Sequence, residues 1–421
     1  MVGWRVESSR ELQIAVAGKL SCGVILDYMK AKFLLIGAIS EDAFLLDYLW
    51  GRASDLDVVS YMHPRAYHGG GVLLVRSKSR RPNSYWDFGW LRPVMIALKS
   101  LNRSLLQLTL QPVAILYAMR LHKRFDFCVC VNVPNIIAGF VLKRFGFVSI
   151  LVFAGGDHVW SKGKFTLESV SNSIFRMIDK YFQNHGSDSV WYESNAMLEI
   201  KRGEGLIVNS GINRAIVPHP TDVSLSKKEQ PDTVERHSIG YIGRIDETSG
   251  IDLAIQVVGL AAKKFPDVKL KIIGTGLKSF EDKMKFVVQS LGIELNVEFY
   301  GFIPKKDEAF EILSTCAFAI APIRPNDENR LGQVFSSKVI EYIGCGLPVI
   351  VTTATAISSV IRASRAGLIS KYDEGEILDA VESLLQDDRL WLDCRQAARR
   401  YAACLDYNIV YDKAFVELAK Q

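Results

Sequence analysis

The sequence predicts two successive α/β domains, each built on a doubly wound parallel sheet. Three observations carry this. From Phe33 onward, short apolar runs alternate with stretches of helical spacing. A polar stretch at 217–238, with three prolines and many charges, interrupts the rhythm as an interdomain linker would. The same alternation then restarts and continues toward the C-terminus. At roughly 150 residues per domain, 421 residues leave room for two to three domains.

In order, KAKFLLIGAIS reads as a buried strand, because Phe33 to Ile36 is a continuous apolar run ending at Gly37. Glu41 to Arg52 has helical spacing in Phe44, Leu45, Tyr48 and Leu49. DVVSY, GVLLVRS, FCVCVNV and VSILVFAGG are further strands, and Leu91 to Lys123 and Ile136 to Arg144 are helical. After the linker, SIGYIG, VKLKIIGTG, VEFYGF, AFAIAPI, LPVIVT and AGLIS read as strands. Helices are expected over Gly250 to Phe265, Phe280 to Leu291, Lys306 to Leu313, Ser337 to Gly344 and Glu376 to Leu385. The boundaries follow as 1–220 for the first domain, 235–400 for the second, and 401–421 for a C-terminal helix free to pack back on the first.

Composition excludes several classes. Apolar residues at 49% and charged residues at 23% describe an ordinary globular chain rather than a disordered or fibrous one. Seven cysteines without a CxxC pair exclude a disulfide scaffold or zinc knuckle. Cys128 and Cys130 lie in an alternating strand and read as core. Charges interrupt the first residues, and charged or polar residues break each long apolar stretch, so no signal peptide or spanning helix is expected. A cytoplasmic protein follows, with peripheral attachment at the inner face of the membrane as an option. The net charge of +5 divides unevenly. Residues 1–225 hold 26 Lys and Arg against 18 Asp and Glu, and residues 226–421 hold 25 against 28. An anionic partner for the first half is one reading, and ordinary charge scatter is the other. No RNA-binding signature is present, so nucleic acid is not an expected partner.

Ligands of open α/β sheets bind at the carboxyl ends of strands, and with two such domains the cleft between them is the expected site. Gly243 and Arg244 follow one such strand end. A glycine allows close approach of backbone to ligand, and an arginine offers a planar fork to phosphate oxygens. Gly274-Thr275-Gly276 ends another strand and suits either a phosphate turn or simply a tight turn. The richest stretch is NDENRLGQVFSSKVIEYIGCGLPVI, residues 326–350. There Ser336 and Ser337 open a helix whose free N–H groups and dipole favour an anion. Lys338 and Glu341 share a face of that helix, as would also hold for a surface Lys–Glu pair. Asp55-Leu56-Asp57 runs directly into a strand and is not a convincing metal motif, so no metal is expected.

GYIGRIDETSGIDLAI, LKIIGTG, VEFYGFIP, AFAIAPI, SSKVIEYIGCGLPVIV and AGLI, in that order, resemble the family-4 retaining glycosyltransferases. FDFCVCVNVPNIIAGFVLKRFGFVSILVFAGGDHVW, VWYESNAMLEI and IVPHPTDV resemble that family's first half more loosely, so the likeness spans about residues 32–421. It implies a GT-B fold, two Rossmann-like doubly wound domains facing a central cleft. It further implies a retaining hexosyl- or N-acetylhexosaminyltransferase. Such an enzyme moves sugar from a nucleotide-diphosphate donor to an acceptor hydroxyl, in cell-surface polysaccharide or glycolipid synthesis, without a cofactor.

By that resemblance Arg244 and Lys338 would meet the diphosphate, with Gly243, Ser336 and Ser337 lining it. Glu341 would hold the ribose, Gly274 and Gly276 would border the base, and Asp157 and His158 would face the acceptor. A saccharide or lipid-linked acceptor is expected. Trp90 to Arg124, rich in Leu, Ile and basic residues, suits an anionic membrane surface, or equally two buried helices with charged ends. Two positions depart from the family pattern: Ser249 stands where it has a lysine, and Gln333 where it has the first of two glutamates. A non-catalytic nucleotide-sugar-binding partner or scaffold is the alternative these favour; a sugar-nucleotide epimerase on the same fold is another.

Overall fold

A computed structural model describes residues 31–37, 43–61, 73–78, 103–155, 167–208, 211–223, 234–325 and 336–419. The chain divides into two compact units. One extends to Pro218 and takes in the C-terminal stretch from Tyr407; the other contains His219–Asp406.

The first unit runs β1 (Lys32–Gly37), α1 (Ala43–Arg52), β2 (Asp55–Tyr61), β3 (Leu73–Ser77), α2 (Arg103–Arg120) and β4 (Phe125–Val131). It continues with α3 (Ile136–Arg144), β5 (Val148–Ala154), α4 (Leu167–Asn184), β6 (Ser189–Tyr192), α5 (Asn195–Gly203) and β7 (Asn213–Ile216). The sheet order is β3-β2-β1-β4-β5-β6-β7. Every pairing is parallel except β2 with β3, so the edge strand runs against the rest. GVLLVRS was expected to run parallel; β3 instead departs from the alternation, a common feature of the edges of such sheets.

Several sequence signals resolve here as packing. Cys128 and Cys130 are buried with sulfurs 3.6 Å apart, and burial holds the Cys128 thiol well above its ordinary value. Asp55 and Asp57 both meet the Lys123 ammonium, at 2.6 Å for Asp55, so this pair belongs to an ion cluster at the start of β2.

The second unit runs β8 (Glu235–Ile242), α6 (Ile251–Ala261), β9 (Lys269–Ile273), α7 (Lys278–Leu291), β10 (Val297–Gly301), α8 (Lys306–Ser314) and β11 (Cys316–Ala321). After it come α9 (Ser337–Gly344), β12 (Val349–Thr352), α10 (Ile357–Ser364), β13 (Gly367–Ser370), α11 (Glu374–Gln386) and α12 (Asp388–Cys404). Its sheet, β10-β9-β8-β11-β12-β13, is parallel throughout. The strand β8 begins at Glu235, so the last residues of the expected linker are already sheet. One core cluster packs α6 and α11 on one face, and another packs α8, α9 and α12 on the other. The second sheet is therefore covered on two sides, which is why its strands read as continuous apolar runs.

The last helix, α13 (Tyr407–Ala419), belongs to the first unit. Phe415 packs edge-on to Phe33 at 5.4 Å and stacks with Tyr48 at 5.8 Å, while Tyr48 donates a 2.7 Å hydrogen bond to Asp412. The chain thus leaves the first unit and returns to it at its end.

Candidate functional site

In the second sheet the strand order reverses direction between β8 and β11, and that is where an open α/β sheet leaves a crevice at its carboxyl end. The register of β8 with β11 ends at Gly240 and Ala319, and beyond it the strands part. The Tyr342 hydroxyl of α9 fills the gap, accepting from the Ile242 N–H at 3.0 Å and donating to the Ile320 carbonyl at 3.3 Å. Tyr342 is fully buried, and desolvation raises its phenol well above the ordinary range. One side chain thereby docks α9 at the switch point.

On the other side of β8 the strands do not part. Pairing with β9 continues into the loops: Gly243 donates to the Ile273 carbonyl at 2.9 Å and Ile245 to that of Thr275 at 3.1 Å. Gly274, at φ 136°, lies so close to Gly243 that a Cβ would overlap the Gly243 carbonyl oxygen. A Cβ on Gly276 would likewise overlap the carbonyl oxygen of Ile245. Both glycines thus have a conformational duty in joining two loops, whatever they border.

Gly243, at φ 142°, is roofed by Lys338: a Cβ there would stand 3.4 Å from the lysine Cε. The Lys338 ammonium donates to the Tyr241 hydroxyl at 3.3 Å and stands 4.8 Å from the centre of that ring. Tyr241 in turn donates to the Arg244 carbonyl at 2.8 Å. A single buried phenol therefore ties the α9 lysine to the loop that carries the arginine. The Arg244 side chain is 84% exposed, with its nearest carboxylate on Asp246 at 3.5 Å, so its guanidinium is accessible to a ligand.

Ser336 is buried at the N-cap of α9, and its side chain makes no capping bond among the described residues. The exposed Ser337 and the half-buried Lys338 follow in the first turn, where N–H groups lack intrahelical partners. One turn deeper, Oε1 of Glu341 lies 3.3 Å from the Lys306 ammonium, which comes from the start of α8. The arrangement offers an anion two cations, a helix start and closely approachable glycine backbone, with a carboxylate able to accept hydrogen bonds from hydroxyls.

Gly243, Arg244, Gly274, Gly276, Ser336, Ser337, Lys338 and Glu341 all lie at the carboxyl ends of β8 and β9 or on the first turns of α9. Asp157, His158 and Gln333 lie outside the described residues. Ser249 is buried, and its hydroxyl donates to the Asp246 carbonyl at 2.6 Å, closing the turn that leads into α6. Tyr241, Tyr342 and Lys306 had no part in the sequence-derived site. The two tyrosines stand within its motifs, whereas nothing near Lys306 marks it. Among the described residues no group of three or more His, Cys, Asp or Glu could hold a metal ion.

Known proteins resemble this chain in part of its sequence and in its fold. Residues 236–387 match the family described as glycosyl transferases group 1. An uncharacterized glycosyltransferase of Haemophilus influenzae is 25% identical over 189 residues, 44% of this chain and 49% of that protein. The phosphatidyl-myo-inositol mannosyltransferase of Mycobacterium leprae is 26% identical over 176 residues, 40% of this chain and 43% of that protein. The chain thus spans about half the length of the curated relatives it matches. Among solved structures, Anabaena HepE in complex with UDP superposes with a TM-score of 0.62 at 14% identity, covering 93% of this chain and all of that one. Sucrose-phosphate synthase of Thermosynechococcus elongatus gives 0.62 at 14% identity, over 92% and 99%. At that identity the likeness establishes the fold. The second unit thus matches the group 1 glycosyltransferase family over residues 236–387, and the chain as a whole has the GT-B fold of these solved structures.

Proposed function

We propose that the protein transfers a hexosyl or N-acetylhexosaminyl unit from a nucleoside-diphosphate sugar to an acceptor hydroxyl, with retention. The observation that carries this reading is the convergence of Lys338, Gly243 and the Arg244 loop on the Tyr241 hydroxyl, at the opening of α9. Those groups suit a diphosphate, Glu341 a ribose, and the loops of Gly274 and Gly276 a base. The Anabaena HepE structure, of the same fold, contains UDP.

As the bond from C1 of the sugar to the diphosphate breaks, negative charge accumulates on the departing oxygen. Cations and N–H groups already fixed there stabilise that charge without reorganising. For retention, the acceptor oxygen bonds to C1 on the face the diphosphate leaves, and the acceptor proton passes to a diphosphate oxygen. No step in this scheme requires a cofactor or metal. Asp157 and His158 are assigned to the acceptor side.

The acceptor is a saccharide or a lipid-linked sugar in cell-surface polysaccharide or glycolipid synthesis, met in the cytoplasm at the inner face of the membrane. Support comes from the first unit. Its helices α2 and α3 contain no acidic residue, and of the two in α4, Glu168 and Asp179, the latter is buried against Lys201. Leu116, Phe145, Met177 and Tyr181 are exposed beside Arg120, Arg144 and Lys180. No helix among the described residues is long and apolar enough to cross a membrane. Such a face suits adsorption to an anionic bilayer, which weakens with salt.

A thermal-shift screen against UDP, GDP, ADP and their sugar conjugates tests the donor site. A ligand at 100 times its Kd should add about 2.7 kcal/mol of stability, and Arg244→Ala and Glu341→Ala should lose the response. No shift with any nucleotide would favour the scaffold reading. Flotation with anionic vesicles at low and high salt tests the membrane contact, and failure to float at low salt would remove it.

A further inference from the structure

We infer that Lys306 is a positioning residue that holds the Glu341 carboxylate ready for a nucleotide seated at the start of α9. The inference rests on the reading of that place as a nucleoside-diphosphate site. Lys306 opens α8, and its ammonium lies 3.3 Å from Oε1 of Glu341. It also stands 5.0 Å from the centre of the Phe310 ring, one turn along its own helix, which restricts the directions its stem takes. Both helices are anchored in one core cluster, α8 through Phe310 and Leu313 and α9 through Val339 and Ile343. The lysine and the carboxylate are therefore presented from two elements that are each fixed by packing.

The placement is unusual for a lysine. The first turn of a helix is its positive end, where the dipole disfavours a cation and favours carboxylates such as Asp307 and Glu308 beside it. Lys306 is disfavoured by the dipole of its own helix, and it reaches the carboxylate of Glu341. For a nucleotide site that charge is a problem, because a lone carboxylate beside a diphosphate repels it. An ammonium on Oε1 offsets the repulsion. It also commits that oxygen, so that Oε2 is presented in one orientation to the vicinal hydroxyls of a ribose. The Lys306 side chain is 47% exposed and that of Glu341 25%, so the pair contributes little to folding. Its loss should appear in binding instead.

The test starts by titrating UDP, GDP and ADP into the wild-type chain calorimetrically. The tightest binder and its 2′,3′-dideoxy form are then titrated into Lys306→Met, Lys306→Arg, Glu341→Gln and the Lys306→Met/Glu341→Gln double variant. Lys306→Met is expected to weaken the ribonucleotide about fivefold while the melting temperature stays nearly unchanged. Lys306→Arg should bind like wild type. The preference for the ribonucleotide over its dideoxy form should shrink in Lys306→Met as it does in Glu341→Gln. With Glu341→Gln already present, Lys306→Met should have almost no further effect. Unchanged affinity in Lys306→Met, or losses that multiply independently in the double variant, would overturn the role of Lys306 while leaving the nucleotide site in place. Absence of binding by all three nucleotides to wild type would overturn both.

Discussion

The hydroxyl of Tyr342 accepts the backbone N–H of Ile242 at 3.0 Å, at the point where β8 and β11 separate. No backbone group of β11 is in register there, so the phenol completes the sheet. Tyr342→Phe keeps the ring but leaves that buried N–H without its partner. It should cost about 1–3 kcal/mol, measured by urea unfolding at neutral pH. A pH signature accompanies it. Burial raises the Tyr342 phenol above its ordinary value, so its contribution is intact below the unfolded value and is lost as pH rises beyond it. Wild type should therefore lose stability above about pH 10 more steeply than Tyr342→Phe.

The loop glycines offer a graded test. Gly274 combines φ 136° with a backbone oxygen where a Cβ would sit, whereas Gly292 combines φ 65° with open space. Gly292→Ala carries only the backbone penalty, about 1 kcal/mol. Gly274→Ala must also push the two loops apart, and should cost about 3 kcal/mol or more. Melting temperatures measured side by side should fall in that order, with nucleotide binding lost in Gly274→Ala alone. Equal losses would mean that the contact of the two loops relaxes freely.

These residues also show what the sequence discloses. The bounds of α9 agree with its reading because a polar loop, a serine pair and an amphipathic run all mark the same start. Lys338 and Glu341 were legible because they are three apart on one helix. Lys306 was not, since its partner lies on another helix and only packing brings them together. The direction of β3 was hidden for a related reason: an apolar run of this length is the same forwards and backwards. The duty of Gly274 was masked by its motif, because a Gly-x-Gly that faces a ligand and one that faces a neighbouring loop have the same letters.

Ser249 illustrates the difference between a departure from a pattern and a gap. Its buried hydroxyl donates to the Asp246 carbonyl at 2.6 Å and accepts from the Asp246 N–H at 3.3 Å. Ser249→Ala should cost about 1 kcal/mol. Ser249→Lys removes the same bonds and forces a long side chain out of a closed turn. It should lower the melting temperature further and leave nucleotide affinity no better than wild type. A clear gain in affinity would show instead that the turn adapts and that a cation is what the site lacks.

The first unit contains the severest expected substitution. Lys201 of α5 and Asp179 of α4 form an ion pair in which both side chains are fully buried, and Asp179 also accepts from Gln183 at 2.9 Å. A buried pair of this kind is a poor source of net stability, because both charges were taken from water. Removing one partner is different, since it leaves the other charge in a low-dielectric interior. Lys201→Met should therefore destabilise the chain by about 3–5 kcal/mol. The double variant Lys201→Met/Asp179→Leu should recover a large part of that loss, because no charge is then left behind. Urea unfolding of the two single variants and the double variant measures the coupling directly. Additive losses would mean that each side chain is held by its packing and that the pairing contributes nothing.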